Sequence, residues 1–252
     1  MASTARFPRP SAGLIRTVFF DAAGTLLALR EPVGETYARF ARRQGIVADA
    51  QALEDGFRHA FGRAEPLAFP GASSRRIPAL EHEWWWQRVS EAFRAAGVDP
   101  SQRAVAQAFA AVFEHFATRR AWRLFADVKP VLRLLRARGL RLAVVSNFDT
   151  RLLRLLEGFG LASSFDAVVL SSTAGFAKPD ARLFAAAVAA IRGAATTTLH
   201  VGDSEKLDRR AALAAGLRAF RLDRGARSTR HVIASLEELP DRVARIPRGS
   251  RR

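Results

Sequence analysis

Apolar and polar positions follow two rhythms along this chain, and the change between them falls near residue 122. Close to the start, Val18-Phe19-Phe20 is a short apolar run that predicts a buried strand, and Asp21 stands where that strand gives out into Gly24. From Val33 to about Thr118 the apolar positions take a helical period instead. Tyr37, Phe40 and Ala41 belong to a first helix, and Leu53, Phe57, Ala60 and Phe61 to a second. Trp84-Trp85-Trp86 with Val89 and Phe93 mark a third, and Val105, Ala108, Phe109, Val112 and Phe116 a fourth. Gly45, Gly62 with Pro66, and Gly97 with Pro100 separate them, so a small antiparallel bundle is predicted. Consecutive tryptophans diverge around a helix, so at least one of the three faces an interface or a pocket rather than the bundle core.

From Leu124 onward helix and strand alternate. Helices are predicted over Pro130–Arg138, Thr150–Gly158, Pro179–Arg192 and Glu205–Ala215, with Pro179 opening its first turn. Strands are predicted over Leu140–Val145, Ala167–Leu170, Thr198–Val201 and Leu217–Leu222, with Ser171–Ala177 as a loop. Single helices between strands predict a parallel sheet, to which Val18–Phe20 also belongs. The expected fold is therefore α/β, a doubly wound parallel sheet with a Rossmann-like core built from residues 13–31 and 122–240. An α-helical bundle at 32–121 interrupts it as a cap domain, and 1–12 and 241–252 form flexible basic ends.

The 252 residues, 49% hydrophobic and 25% charged, suit a globular protein, and no apolar stretch approaches the roughly 20 residues of a membrane span. The N-terminal stretch lacks the apolar centre of a secretory signal, and the absence of cysteine excludes disulfides, thiolate metal sites and a Cys nucleophile, so a cytoplasmic location is expected. The net charge of +16 raises nucleic acid as a partner. Yet the basic residues are nearly all arginines scattered through the helices, and only Arg242–Arg252, preceded by Arg224, Arg227 and Arg230, approaches a patch. Solvated helix faces and loose, salt-sensitive association are expected rather than specific nucleic-acid binding, with a small anionic substrate drawn by the same field. A monomer or homodimer is expected.

The candidate chemistry lies at the strand ends. Asp21, Ser146-Asn147 and Asp203 each close an apolar strand, and Lys178 follows another through its loop. In a parallel sheet those carboxyl ends share one rim, which would unite two carboxylates, a hydroxyl, an amide and an ammonium. Two acids in one crevice repel unless a cation lies between them, and oxygen donors without His or Cys suit Mg²⁺. Asp208 adds a third acid one helical turn further on. Such a site holds phosphate, and Asp21 could attack phosphorus to form an acyl phosphate that water opens. Taken singly the residues leave structural roles open: Ser146 as a helix cap, Lys178 in a surface ion pair, Asp208 as a first-turn acid.

Four segments in order, Asp21-Ala22-Ala23-Gly24-Thr25, Val145-Ser146-Asn147, Lys178-Pro179-Asp180 and Gly202-Asp203-Ser204-Glu205-Lys206-Leu207-Asp208, resemble the four signatures of the haloacid dehalogenase-like hydrolase superfamily. The helical insertion after the first signature resembles the helical-cap members, and Gly34-Glu35-Thr36-Tyr37-Ala38 with the tryptophans resembles their rhythmically-expressed-gene-like branch. The resemblance implies a Mg²⁺-dependent hydrolase of a small phosphorylated metabolite working through an aspartyl-phosphate. It implies Asp21 as nucleophile and metal ligand, and Thr25, Ser146, Asn147 and Lys178 as substrate-binding residues. Lys178 would also bridge nucleophile and phosphate, and Asp203, Asp208 and the backbone of Ala23 would complete the metal site.

Ala23 departs from the family pattern. Family phosphatases carry an Asp there that protonates the leaving oxygen and then activates water, and a methyl group can do neither. A positioned acid/base supplies ~10²–10⁴-fold, or roughly 3–5 kcal/mol of barrier. Poor leaving groups are therefore expected to react slowly. The same departure fits a 2-haloacid dehalogenase, whose halide needs no proton, although those relatives dispense with the Mg²⁺ that Asp203 and Asp208 suggest. It also fits a catalytically impaired phosphate-binding or regulatory protein. Phosphonate cleavage through a cap lysine is set aside, since the cap contains no lysine.

Overall fold

The computed structural model describes residues 15–245. Six parallel strands form the main sheet: β1 (Thr17–Phe20), β4 (Arg141–Ser146), β5 (Ala167–Leu170), β6 (Thr198–Gly202), β7 (Arg218–Leu222) and β8 (Val232–Ile233). Their spatial order is β5-β4-β1-β6-β7-β8, so β1 lies at the centre, paired with β4 on one side and β6 on the other. This is the predicted doubly wound α/β sheet with the order reversing beside β1, which is where a ligand crevice forms in such sheets.

Side chains two apart on a strand share a face, and the apolar pattern obeys that rule. Val18, Phe20, Leu142 and Val144 face α5 (Val128–Ala137), α6 (Arg151–Gly158) and α10 (Leu239–Ala244), where Leu132, Leu155 and Leu239 complete one core. Phe19, Ala143 and Val145 face the other way onto Leu183 and Phe184 of α8 (Ala181–Ala190) and Ala212 of α9 (Ala211–Ala214). Being buried on both faces, these strands carry no polar alternation.

The insertion consists of α1 (Val33–Arg42), α2 (Ala50–Gly62), α3 (Ile77–Ala95) and α4 (Arg103–Phe116), packed around Tyr37, Leu53, Val89, Phe93 and Phe109. A two-stranded antiparallel ribbon, β2 (Leu27–Leu29) with β3 (Trp122–Leu124), joins its two ends to the core. That ribbon is absent from the sequence reading, as is β8. Strands of two or three residues show no period, and β2 finds its partner only after the whole insertion has passed.

Four expectations need correction. The helix expected from Pro179 starts at Ala181 because Asp180 caps it, accepting from the Arg182 N–H at 2.9 Å, and the Lys178–Pro179 peptide is cis. The helix expected over Glu205–Ala215 opens as a wide π-helical turn, Glu205–Arg210, before α9. The Asp208 side chain folds back onto the Ser204 N–H at 3.0 Å, and such a turn is frequent where a helix supplies a site residue. Residues 171–174 of the expected loop form a short helix, α7 (Ser171–Ala174). Within the end assigned to 241–252, residues 241–244 belong to α10, and Val243 is buried in the core. The ends 1–12 and 246–252 lie outside the described residues.

Arg224, counted from sequence with the basic patch, is a structural anchor. Its guanidinium grips Asp127 at 2.7 and 3.0 Å, donates to the Thr25 carbonyl at 3.1 Å and lies 3.8 Å from the Phe125 ring centroid. Asp127 also accepts from the Leu236 N–H and the Ser235 hydroxyl. Burial pushes the Asp127 carboxyl up, but the Arg224 and Leu236 hydrogen bonds outweigh it and hold the carboxyl below its ordinary 3.8. Asp127→Ala should therefore cost ~2–3 kcal/mol in urea unfolding at neutral pH, since it strands three donors. A carboxyl depressed in the folded state stabilises above its unfolded pKa and loses that effect as pH falls through its folded one. The deficit of the variant should thus be full at pH 7 and shrink below about pH 3.8, which paired urea titrations would check.

Candidate active site

The carboxyl ends of β1, β4 and β6 and the loop before α8 bring the expected residues together. Asp21 follows β1 and is 6% exposed. Its Oδ1 accepts from the Ser146 hydroxyl at 2.9 Å and from Lys178 Nζ at 2.6 Å. Lys178 Nζ also donates to Asp208 Oδ1 at 2.5 Å, so one buried ammonium links two carboxylates. The Asn147 side-chain amide donates to the Lys178 carbonyl and accepts from the Lys178 N–H, a two-point clamp that fixes the lysine's backbone. Thr25 is fully buried and its hydroxyl has no partner among the described residues. Ala23 lies on the turn after Asp21 and lines a cavity beside the site.

Two glycines are there because carboxylates crowd the backbone. A Cβ on Gly24, whose φ of 82° already excludes most residues, would come within 2.2 Å of Asp203. A Cβ on Gly202 would meet the Asp208 carboxyl carbon at 2.1 Å.

The electrostatics are those of a site with too many acids. Asp21, Asp203 and Asp208 each offer an oxygen within 4.8 Å of the others, against one lysine. Burial raises the Asp21 carboxyl, with Lys178 opposing and Asp208 adding to the rise. Burial and the charges of Asp21 and Asp208 push Asp203 up to about 6, although Asp203 is the most exposed of the three. Burial acts on Asp208 in the same direction, but the His200 hydrogen bond and the Lys178 charge overcome it and hold that carboxyl far below the usual range. Desolvation alone would lower Lys178, and the two carboxylates reverse that, so it remains an ammonium. Asp208 is fully engaged, by Lys178, by His200 Nε2 at 2.9 Å and by the Ser204 N–H. The exposed Asp203 and the second oxygen of Asp21 are the oxygens left for a cation, and hard oxygens in negative excess fit a divalent ion.

Several residues escaped the sequence reading. His200 is fully buried in β6 behind Asp208, and a lone histidine inside an apolar strand gives no signal of that role. A buried network also ties the insertion to the loop that follows Ser146. Glu81 of α3, 1% exposed, accepts from the Thr150 N–H and hydroxyl. Trp85 donates its indole N–H to Asp149 at 2.7 Å, and Asp149 is paired with Arg151 through two further bonds. The divergence of the tryptophans is as expected: Trp84 and Trp85 line the cavity, whereas Trp86 packs on Phe109.

The sequence pattern described as a haloacid dehalogenase-like hydrolase matches residues 15–216. The chain belongs to the haloacid dehalogenase-like hydrolase family. Among its relatives, haloacid dehalogenase-like hydrolase domain-containing protein 3 from Homo sapiens is 39% identical over 212 residues, covering 82% of this chain and 81% of that protein. A phosphoserine phosphatase from Thermus thermophilus is 40% identical over 139 residues, 54% of this chain and 53% of its own. The crystal structure of a 2-haloacid dehalogenase from Pseudomonas syringae superposes with a TM-score of 0.64 at 26% identity, covering 92% of this chain and 99% of that one. The chain is thus a hydrolase of this family, with phosphatases and dehalogenases alike among its neighbours. No helix among the described residues is long and apolar enough to cross a membrane.

Proposed function

We propose that this hydrolase transfers a phosphoryl group from a small phosphorylated compound to Asp21 and then to water. The carrying observation is the Lys178 ammonium held between Asp21 and Asp208, with the exposed Asp203 beside them. Asp21, Asp203 and the backbone carbonyl of Ala23 would hold Mg²⁺ with Asp208 behind them, and the ion would offset phosphoryl charge and draw the substrate's oxygens into line. In the first step a carboxylate oxygen of Asp21 bonds to phosphorus while the bond to the leaving oxygen breaks and its electron pair departs with that oxygen. In the second, a water oxygen bonds to the same phosphorus, the bond to the aspartyl oxygen breaks with its electron pair returning to the Asp21 carboxylate, and the water's proton leaves with the phosphate product. Ser146 and Lys178 aim Asp21 and take up phosphoryl charge, and Thr25 packs beneath the turn that carries Asp21. On this reading the chain is a metabolite phosphatase with a helical cap, acting on a small anionic substrate in the cytoplasm.

With Ala23 in place of the usual acid, no side chain at that position moves a proton to the leaving oxygen. Hydrolysis should therefore require Mg²⁺, stop with EDTA, and rise steeply as the leaving group becomes more acidic, with acetyl and aryl phosphates well ahead of alkyl phosphates. Ala23 also favours a second reading, the release of halide from a 2-haloacid, which needs no proton. Halide release from 2-chloropropionate without metal, together with failure on acetyl phosphate, would replace the first reading by that one. Tight phosphate binding with no turnover of any substrate would leave a regulatory role.

A further inference from the structure

A cavity of about 350 Å³ lies between the insertion and the sheet, beginning at Ala23, Asn147 and Lys178 and running away from them into the helices. Its walls are aromatic, with Tyr37, Trp84, Trp85, Phe113 and Trp122 inside and Phe61, 50% exposed, at the rim. The polar groups that reach it are nearly all spent. Asn147 is engaged with the Lys178 backbone, and Arg151 is neutralised by Asp149 while its guanidinium lies 4.8 Å from the Trp85 ring centroid and 4.2 Å from that of Phe113. Glu65 is exposed to solvent, and its carbonyl accepts from Trp84. A sugar or polyol placed here would lose its hydration and find few partners, whereas an apolar ring would lose nothing.

A further observation agrees with an apolar occupant. Ala23, at the mouth, offers no proton to a leaving oxygen, which restricts efficient reaction to leaving groups that depart as stable anions. Phenols are such groups, and they are also apolar rings. We propose that the cavity receives the leaving group of the substrate and that this group is an aromatic or comparably apolar ring system bearing few polar substituents, in place of a sugar, polyol or amino acid. This assignment rests on the phosphotransfer reading of Asp21.

The test compares 2-naphthyl phosphate with phenyl phosphate, whose leaving groups are close in acidity. With Mg²⁺ and the full chain, kcat/KM should favour the naphthyl ester about tenfold, because a second ring buries roughly 50 Å² more apolar surface at ~25 cal/mol per Å². Phe61→Ser, at the half-exposed rim, should shrink that preference several-fold. Equal rates on the two esters, or a preference that survives F61S, would overturn the assignment. Binding is read separately, without metal or turnover, from the fluorescence of the three cavity tryptophans, Trp84, Trp85 and Trp122. Cyclohexylmethylphosphonate should perturb it at least tenfold more tightly than 2,3-dihydroxypropylphosphonate, and equal affinities would again overturn the assignment. Tight binding of the cyclohexyl probe with no hydrolysis of any ester or of acetyl phosphate would uphold the apolar cavity and sink the phosphotransfer reading. Turnover of acetyl phosphate without any ring preference would do the reverse.

Discussion

Asp21→Asn should abolish Mg²⁺-dependent hydrolysis of acetyl phosphate and aryl phosphates, with a fall in kcat of ~10⁴-fold or more, the size of loss expected when a covalent nucleophile is removed. An amide oxygen does not attack phosphorus, although it can still accept from Ser146 and Lys178. Lys178 retains Asp208 as a partner at 2.5 Å, so the substitution does not strand a buried ammonium. The same variant should melt at or above the wild-type temperature. Burial and the neighbouring Asp208 already oppose ionisation of Asp21, so removing one of three clustered carboxylates relieves repulsion that the fold otherwise carries. Mass spectrometry after rapid quenching supplies the direct check: the wild type should show a hydroxylamine-sensitive phosphoryl adduct on the peptide containing Asp21, and the variant none. Activity retained in Asp21→Asn would end the nucleophile assignment. Lost activity with a much lower melting temperature would mean that Asp21 serves the fold.

Ala23→Asp should raise kcat/KM on alkyl phosphates by ~10²-fold or more, toward the range of a positioned general acid. Ala23 lines the cavity two residues beyond Asp21, so a carboxyl at this position would stand beside the proposed leaving group. The gain should depend on the substrate. Phenolate and acetate leave without a proton and should gain less than ~10-fold, while alkoxides should gain most, so the dependence of rate on leaving-group acidity should flatten. A fourth carboxylate beside Asp21, Asp203 and Asp208 should also tighten Mg²⁺ binding, measurable by titration calorimetry. Unchanged or lower rates on alkyl phosphates would show that the missing acid is not what limits this hydrolase.

The strand ends were legible in the linear chain because an apolar run that stops at Asp21, Ser146 or Asp203 is a local signal, and a parallel sheet then obliges such ends to share a rim. Lys178 was legible only as the residue that follows a strand through a loop. What it holds was not, since Asp21 and Asp208 lie 157 and 30 positions from it. Asn147 shows the limit most directly: its position at a strand end was evident, but the use of its amide to clamp the Lys178 backbone depends on a loop folding back 31 residues later. His200 could not be found, because a histidine supporting a carboxylate and one merely filling a core occupy the same slot in a strand pattern.

By itself, then, the order of residues determined the longer strands and helices, that the bundle interrupts the sheet after its first strand, and which oxygens and which lysine stand at the sheet's rim. Those follow from periodicity and chain connectivity, which are properties of neighbours. Only the tertiary structure decided that Asp208 spends its oxygens on Lys178, His200 and Ser204 while Asp203 stays exposed, that Glu81 and Trp85 bind the insertion to the loop after Ser146, and that aromatic side chains from distant helices enclose a cavity beside Ala23. Each of these depends on burial and on the direction of side chains from elements far apart in the chain, and neither quantity exists until the elements have packed.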